Sequence, residues 1–202
     1  MNSEHNAYQP TKRQQDIVNA AINIIARAGY QELTTKRLAA ALNLSEAALY
    51  RHFESKSALI YAILDYFQQV AADTFGHIHQ TISNPLEQVK AFVVNRYSLF
   101  IQQPELAKLM FSEELFLNDT SLAEHVLGIM HIHRDQLLLS LRLGQEQGII
   151  RRDLSPLTLF RLVIGPLRLL VTQWNLSGQE FDLLEEGTQL WNAIEKIIKE
   201  PT

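Results

Sequence analysis

Cysteine is absent from the 202 residues. That excludes a disulfide framework, a thiolate zinc site, an iron–sulfur cluster and a cysteine nucleophile, and it fits a reducing cytoplasm. Glycine (8) and proline (6) are too scarce for a collagen, a linker-rich chain or an all-β protein built on many turns. The opening residues MNSEHNAYQP are polar and lack the apolar stretch of a signal peptide. The most apolar run, Leu154 to Val171, carries Arg161, Arg168 and Gly165-Pro166. A membrane span needs about 20 predominantly apolar residues, so this run is expected to be a buried helix, and no membrane partner is expected. Ser/His/Asp arrangements, glycine-rich phosphate loops and paired catalytic carboxylates do not rise above chance, so no enzyme activity is expected.

What is present is helical periodicity and enough apolar residues (47%) for a substantial core. Net charge is −4, but unevenly spread. Residues 1–56 hold seven Lys/Arg against five Asp/Glu, and residues 57–202 hold eleven against seventeen. A weakly basic head on an acidic body points to the head as the part that meets a polyanion.

Thr11 with Gln14 forms a capping-box signature, and Ile17, Ala21, Ile24 and Ile25 line the helix that Gly29 ends. Thr34 and Ser45 are the next N-caps, with Asn43 at the turn between two short helices. The second of these is expected to run through Phe53, and a longer helix to follow over Ser57–Thr81. Further helices are expected at 85–102, 104–117, 120–147, 155–175 and 180–199, with breaks at Asn84-Pro85, Pro104, Asn118-Asp119, Gly148 and Ser177-Gly178. Pro166 is expected to kink or break its helix, and Gly165 to allow close helix approach.

The stretch LTTKRLAAALNLSEAALYRHFESK, residues 33–56, matches a helix-turn-helix. Ala39 is small at the helix crossing, and Leu49 fills the space between the helices. The second helix would lie in the DNA major groove. Thr34, Thr35, Tyr50, His52 and Lys56 suit phosphate contacts. Lys36 can reach guanine, and Glu46 can accept from a cytosine amino group. Ser45, Ala47 and Ala48 allow close approach, and Arg51 suits either phosphate or base.

Residues 13–67 resemble the DNA-binding domain of the TetR family of transcriptional regulators. The resemblance rests on Ala28-Gly29-Tyr30, Leu33-Thr34-Thr35, Leu38-Ala39, the run S-x-x-x-L-Y-x-H-F from Ser45 to Phe53, then Ser55-Lys56 and Leu59. Asn43 stands where the family usually has glycine, and Ala47-Ala48 where it often has Gly-Thr. The segment SEAALYRHF also resembles nucleoid-occlusion division inhibitors, a TetR-like branch.

The resemblance implies an all-α, cytoplasmic homodimer. A flexible tail (1–10) would precede a three-helix DNA-binding domain (11–56) and a larger helical ligand-binding and dimerisation domain (57–202), with the Ser57–Thr81 helix as the lever between them. The implied partners are a palindromic double-stranded DNA operator, a second copy and a small-molecule effector, with no cofactor. The alternative is a DNA-bound adaptor whose C-terminal domain binds a protein. Candidate pocket residues are Phe67, Arg96, Tyr97, Phe100, Met110, Phe111, Phe116 and His125. Candidate dimer-interface residues, from the last two helices, are Leu162, Val163, Leu170, Trp174, Leu190, Trp191, Ile194 and Ile198. His77/His79 and His131/His133 are i,i+2 pairs that point to different helix faces, so no metal site is expected.

Overall fold

The structure, a computed structural model, describes residues 10–111 and 119–201. The described chain is helical: α1 (Lys12–Ala28), a 3₁₀ turn (Tyr30–Glu32), α2 (Thr35–Ala41), α3 (Glu46–Tyr50), α4 (Lys56–Thr81), α5 (Pro85–Gln102), α6 (Pro104–Met110), α7 (Thr120–Glu146), α8 (Pro156–Leu176) and α9 (Leu183–Ile198). The second half of the helix expected over 104–117 lies outside the described residues. The chain divides into two compact units.

The described part of the first unit holds residues up to Val70 and 119–126. The unit therefore reaches beyond residue 56 into α4 and takes in the start of α7. Its helices begin where side chains satisfy orphan backbone N–H groups. The Thr11 hydroxyl accepts from the Gln14 N–H at 3.2 Å, and the Gln14 side chain accepts from the Thr11 N–H at 3.0 Å. Thr34 accepts from the Arg37 N–H, Ser45 from the Ala48 N–H, and Ser55 from the Ala58 N–H. Asn43 adopts φ +53, a left-handed conformation that asparagine tolerates better than most non-glycine residues. The core joins Ile17, Val18, Ala21 and Ile25 of α1 to Leu33, Leu38, Ala39, Leu49 and Phe53, and to Leu59, Ile60 and Ile63 of α4. Tyr61 meets the His125 ring edge-on at 4.9 Å, and His125 Nε2 lies 2.7 Å from Asp65 Oδ1.

The second helix of the pair, α3, is shorter than its sequence pattern predicts. α3 stops at Tyr50, and the chain tightens into a turn in which the His52 N–H donates to the Leu49 carbonyl at 2.9 Å. Phe53 remains buried even so.

The second unit holds residues 71–111 and 127 onward. Its core centres on Tyr97 and Phe100 of α5, Leu106 of α6, and Trp191 and Ile198 of α9. α5 and α9 approach closely at Gly187, where a Cβ would run into the Tyr97 ring. Gly165, by contrast, faces open space among the described residues. α8 also continues through Pro166. Proline removes one donor and leaves the Leu162 carbonyl unbonded within the helix. Leu162 is on an exposed turn, where that loss is tolerated. α9 begins at Leu183 rather than 180, because Asp182 accepts from the N–H groups of Leu184 and Glu185, both at 2.9 Å.

The expectation of a buried helix over 154–171 holds for one face only. Leu159, Val163, Leu167, Val171 and Trp174 are buried, while Leu162, Leu169 and Leu176 are exposed. α8 is also long and apolar enough to cross a membrane by length and composition. Its buried stripe at i,i+4 spacing is that of a helix packed on a protein core.

Two consecutive arginines fasten the end of this unit. Arg151 donates to the Ile197 carbonyl and pairs with Asp153, and Arg152 donates to the Gln145 and Glu146 carbonyls at the end of α7. Both place a cation against helix-terminal carbonyls.

His133 is largely buried beside Phe75, Phe92 and the Arg96 guanidinium. Burial and the Arg96 charge together push it down to about 4 from 6.5. A histidine depressed on folding adds stability that is present above its unfolded pKa and lost as pH falls through its folded one. The unfolded chain takes up a proton below about pH 6.5, and the folded chain does not until about pH 4. His133→Gln is therefore expected to remove roughly 3 kcal/mol of stability loss across that window. Denaturant titrations of both proteins at pH 7, 5.5 and 4.5 measure it. Parallel pH curves would contradict the assignment.

Candidate nucleic-acid interface

The first unit presents a set of polar side chains around α2 and α3. Thr34, Lys36, Ser45, Glu46, Ala47, Tyr50 and Arg51 are exposed, and Thr35, Ala48, His52 and Lys56 half-exposed. Leu38, Ala39, Leu49 and Phe53 beneath them hold the two helices in place. All eleven sequence-predicted DNA-contact residues therefore lie at the surface of one small motif.

Donor accounting separates their roles. The Thr34 and Ser45 hydroxyls accept from helix N–H groups, which leaves their own protons available to a phosphate oxygen. Tyr50, 48% exposed, offers a phenolic proton. Thr35 differs: its hydroxyl donates to Glu46 Oε2 at 2.7 Å, so its single proton is committed. Arg37, which the sequence reading passes over, is held by Glu32 at 2.7 Å. Partial burial holds the Lys56 ammonium below the usual lysine range, which makes an approaching anion more favourable there.

The N-terminal segment, residues 17–63, matches the family described as "Bacterial regulatory proteins, tetR family", and residues 65–197 match "YsiA-like protein, C-terminal region". The chain belongs to the TetR family. That family is one of bacterial regulatory proteins, and its N-terminal match spans the helix-turn-helix of α2 and α3.

The TetR fold is shared with solved structures. The fatty acid degradation regulator FadR from Bacillus halodurans superposes with a TM-score of 0.81 at 19% identity, covering 93% of this chain and 97% of that one. FadR from Bacillus subtilis, solved in complex with stearoyl-CoA, gives 0.79 at 18% identity, covering 91% and 98%. Among curated relatives, the nucleoid occlusion factor SlmA of Actinobacillus pleuropneumoniae is 27% identical over 116 residues, 57% of each chain. The match thus spans little more than half the length of that relative.

In this TetR regulator the candidate pocket residues fall in different places. Phe67 is buried in the first unit, where His125 pairs with Asp65. In the second unit, Arg96, Tyr97 and Phe100 are buried, and Met110 and Phe111 are half-buried. Phe116 lies outside the described residues. Arg96 donates to Asn95 Oδ1 at 2.6 Å and to the Thr74 hydroxyl at 3.3 Å, and it stands 5.1 Å from the Phe92 ring centre. Burial lowers Arg96 to about 10 and raises Tyr97 to about 12, which leaves the guanidinium charged and the phenol neutral at pH 7.

Of the eight interface candidates, Val163, Trp174, Trp191, Ile194 and Ile198 are buried inside the chain's own second unit. Leu162 is exposed, and Leu170 and Leu190 are half-buried. Leu170 and Leu190 line a shallow groove between α8 and α9 together with Pro166, Leu169, Gln173, Glu186 and Gln189. Exposed Leu169 (59%), Leu176 (83%) and Ile197 (49%) extend that apolar face. Ile197 belongs to the apolar repeat of the last helix that the sequence shows, whereas Leu169 and Leu176 were not predicted, although both lie on the helical stripe of Leu162.

The histidine pairs split as their spacing requires. His77 and His131 are exposed, while His79 reaches Ser140 and His133 packs inward. Because the Ser140 hydroxyl donates to Gln88 Oε1, the His79 Nε2–H is the donor in that contact. Among the described residues, no three His, Asp or Glu side chains converge on one point.

Proposed function

We propose that this TetR-family protein is a cytoplasmic homodimeric repressor that binds a palindromic operator and is released by a small amphipathic effector. The observation that carries the reading is the outward set of Lys36, Tyr50, Arg51 and Lys56 on a helix-turn-helix whose Leu38, Ala39, Leu49 and Phe53 are buried. Residues 11–56 supply DNA contacts, and residues 57–202 supply the dimer and effector functions. Two recognition helices must stand about 34–36 Å apart, or a multiple of that, to enter successive major grooves. The apolar face of α8 and α9 supports a second copy as the element that sets this spacing. Leaving it in water forgoes about 1.5–3 kcal/mol per large side chain. An effector that favours a splayed dimer shifts the population off DNA by no more than its differential affinity. The buried aromatic residues around Arg96 support an effector with an apolar body and a polar group, and a relative of the same fold is solved with stearoyl-CoA.

Salt-dependent binding measurements on operator and random duplex test the DNA assignments. Tyr50→Phe and Lys56→Ala are expected to weaken all sequences alike, by a few-fold each, with a salt slope shallower by about one for Lys56→Ala. Lys36→Ala is expected to relax preference at one base position, by roughly 1–3 kcal/mol. Unchanged relative preferences would remove Lys36 from the base-reading set.

A second reading is favoured by the similarity to nucleoid occlusion factors: a DNA-bound adaptor whose C-terminal helices bind a protein. Genome-wide occupancy separates the two. A few promoter sites released by an effector support the repressor, and dozens of scattered sites support the adaptor.

A further inference from the structure

We propose that Thr35 is a positioning residue that fixes the Glu46 carboxylate for base reading, so that the pair selects cytosine in the major groove. The inference rests on the operator-binding reading above. The observation is the hydrogen bond from the Thr35 hydroxyl to Glu46 Oε2 at 2.7 Å, made across the turn between α2 and α3. Thr35 is the first residue of α2 and Glu46 the first of α3. The N-terminal end of a recognition helix is its part nearest the bases.

An untethered glutamate at an exposed helix start samples many rotamers, and ordering it on DNA costs side-chain entropy. A charge-assisted bond to one oxygen settles that orientation in advance. The carboxylate keeps accepting capacity on its other oxygen and donates nothing. In the major groove, cytosine presents its N4 amino group as a donor. Guanine presents N7 and O6, and thymine presents O4; all three are acceptors that repel a carboxylate. Adenine presents a donor at N6, but the N7 acceptor lies beside it. The pair thus attracts one base and rejects others, and specificity needs both. The same hydrogen bond takes the only proton Thr35 has, which removes it from the phosphate-donating set.

The test uses the full chain and duplex libraries randomised across the half-site. Glu46→Ala identifies the base position whose preference this side chain sets. Wild type is expected to favour cytosine there by about 5- to 150-fold over guanine or thymine. Thr35→Val, which keeps the shape and removes the hydroxyl, is expected to reduce that ratio several-fold. Affinity for random duplex and the salt slope should stay unchanged, and Thr35→Ser should restore the ratio. Thermal unfolding of each variant separates a local misfold from lost orientation, because a misfold would weaken every sequence. The inference is overturned if Thr35→Val leaves the ratio intact. It is equally overturned if that variant weakens all duplexes equally with a shallower salt slope, or if the Glu46-dependent position prefers a base other than cytosine. Failure of wild type to bind any duplex would overturn the operator reading, and this inference with it.

Discussion

Introducing Leu170→Glu together with Leu190→Glu is expected to yield a folded monomer whose affinity for a two-half-site duplex falls about 10²- to 10⁴-fold. Both side chains line the outward groove between α8 and α9, beside Glu186. In a monomer the new carboxylates stand in water and disturb little. In a symmetric pair they would be desolvated against their own copies and against Glu186, a cost of several kcal/mol per buried charge. The affinity loss follows from losing bivalency, because the second recognition helix no longer binds as part of the same molecule. Sedimentation and binding to single and paired half-sites read the two effects separately. The variant should match wild type on a single half-site. A dimeric variant, or one with unchanged affinity for paired half-sites, would move the interface elsewhere.

Trp191→Ala is expected to cost about 3–5 kcal/mol of stability. Trp191 is fully buried in the centre of α9, and its indole N–H donates to Glu195 Oε2 at 3.0 Å. Its removal leaves a cavity on the helix that Gly187 brings against Tyr97. A whole domain is stable by only about 5–15 kcal/mol, so the loss is about a fifth of the total or more. Trp174 remains as a fluorescent reporter in the same unit. Denaturant unfolding should show a lower midpoint, and Trp191→Phe should recover most of it. A loss below about 1 kcal/mol would mean that the site collapses around the missing ring.

How much of this was legible in the sequence differs by the kind of information involved. Local rules carried the first unit. The Thr11/Gln14 box, the Thr34 and Ser45 caps and the left-handed Asn43 are each settled within a few residues, and each appears where the pattern places it. The boundaries of α3 and α9 shifted for local reasons that composition does not rank: a tightened turn at His52, and a better cap at Asp182 than any residue near 180. The interface residues were harder. α8 carries two apolar stripes, 159/163/167/171/174 and 162/166/169/176, and hydrophobicity alone does not say which one the chain covers itself. The named residues mixed the two. Spacing would have sorted them into faces, but assigning a face to the core required the packing of α5 against α9. The Thr35–Glu46 bond was out of reach for a related reason: it joins residues eleven positions apart through side-chain geometry that depends on how α2 and α3 cross.

On the proposed function, two copies of one helix-turn-helix read DNA together. Selection of bound sequences from a fully random duplex pool by the purified full-length protein tests it most directly. The expected result is an enriched motif with two-fold symmetry, its half-sites centred about one helical turn or a multiple apart. Enrichment of a lone asymmetric half-site, or of no sequence even at low ionic strength, would contradict it.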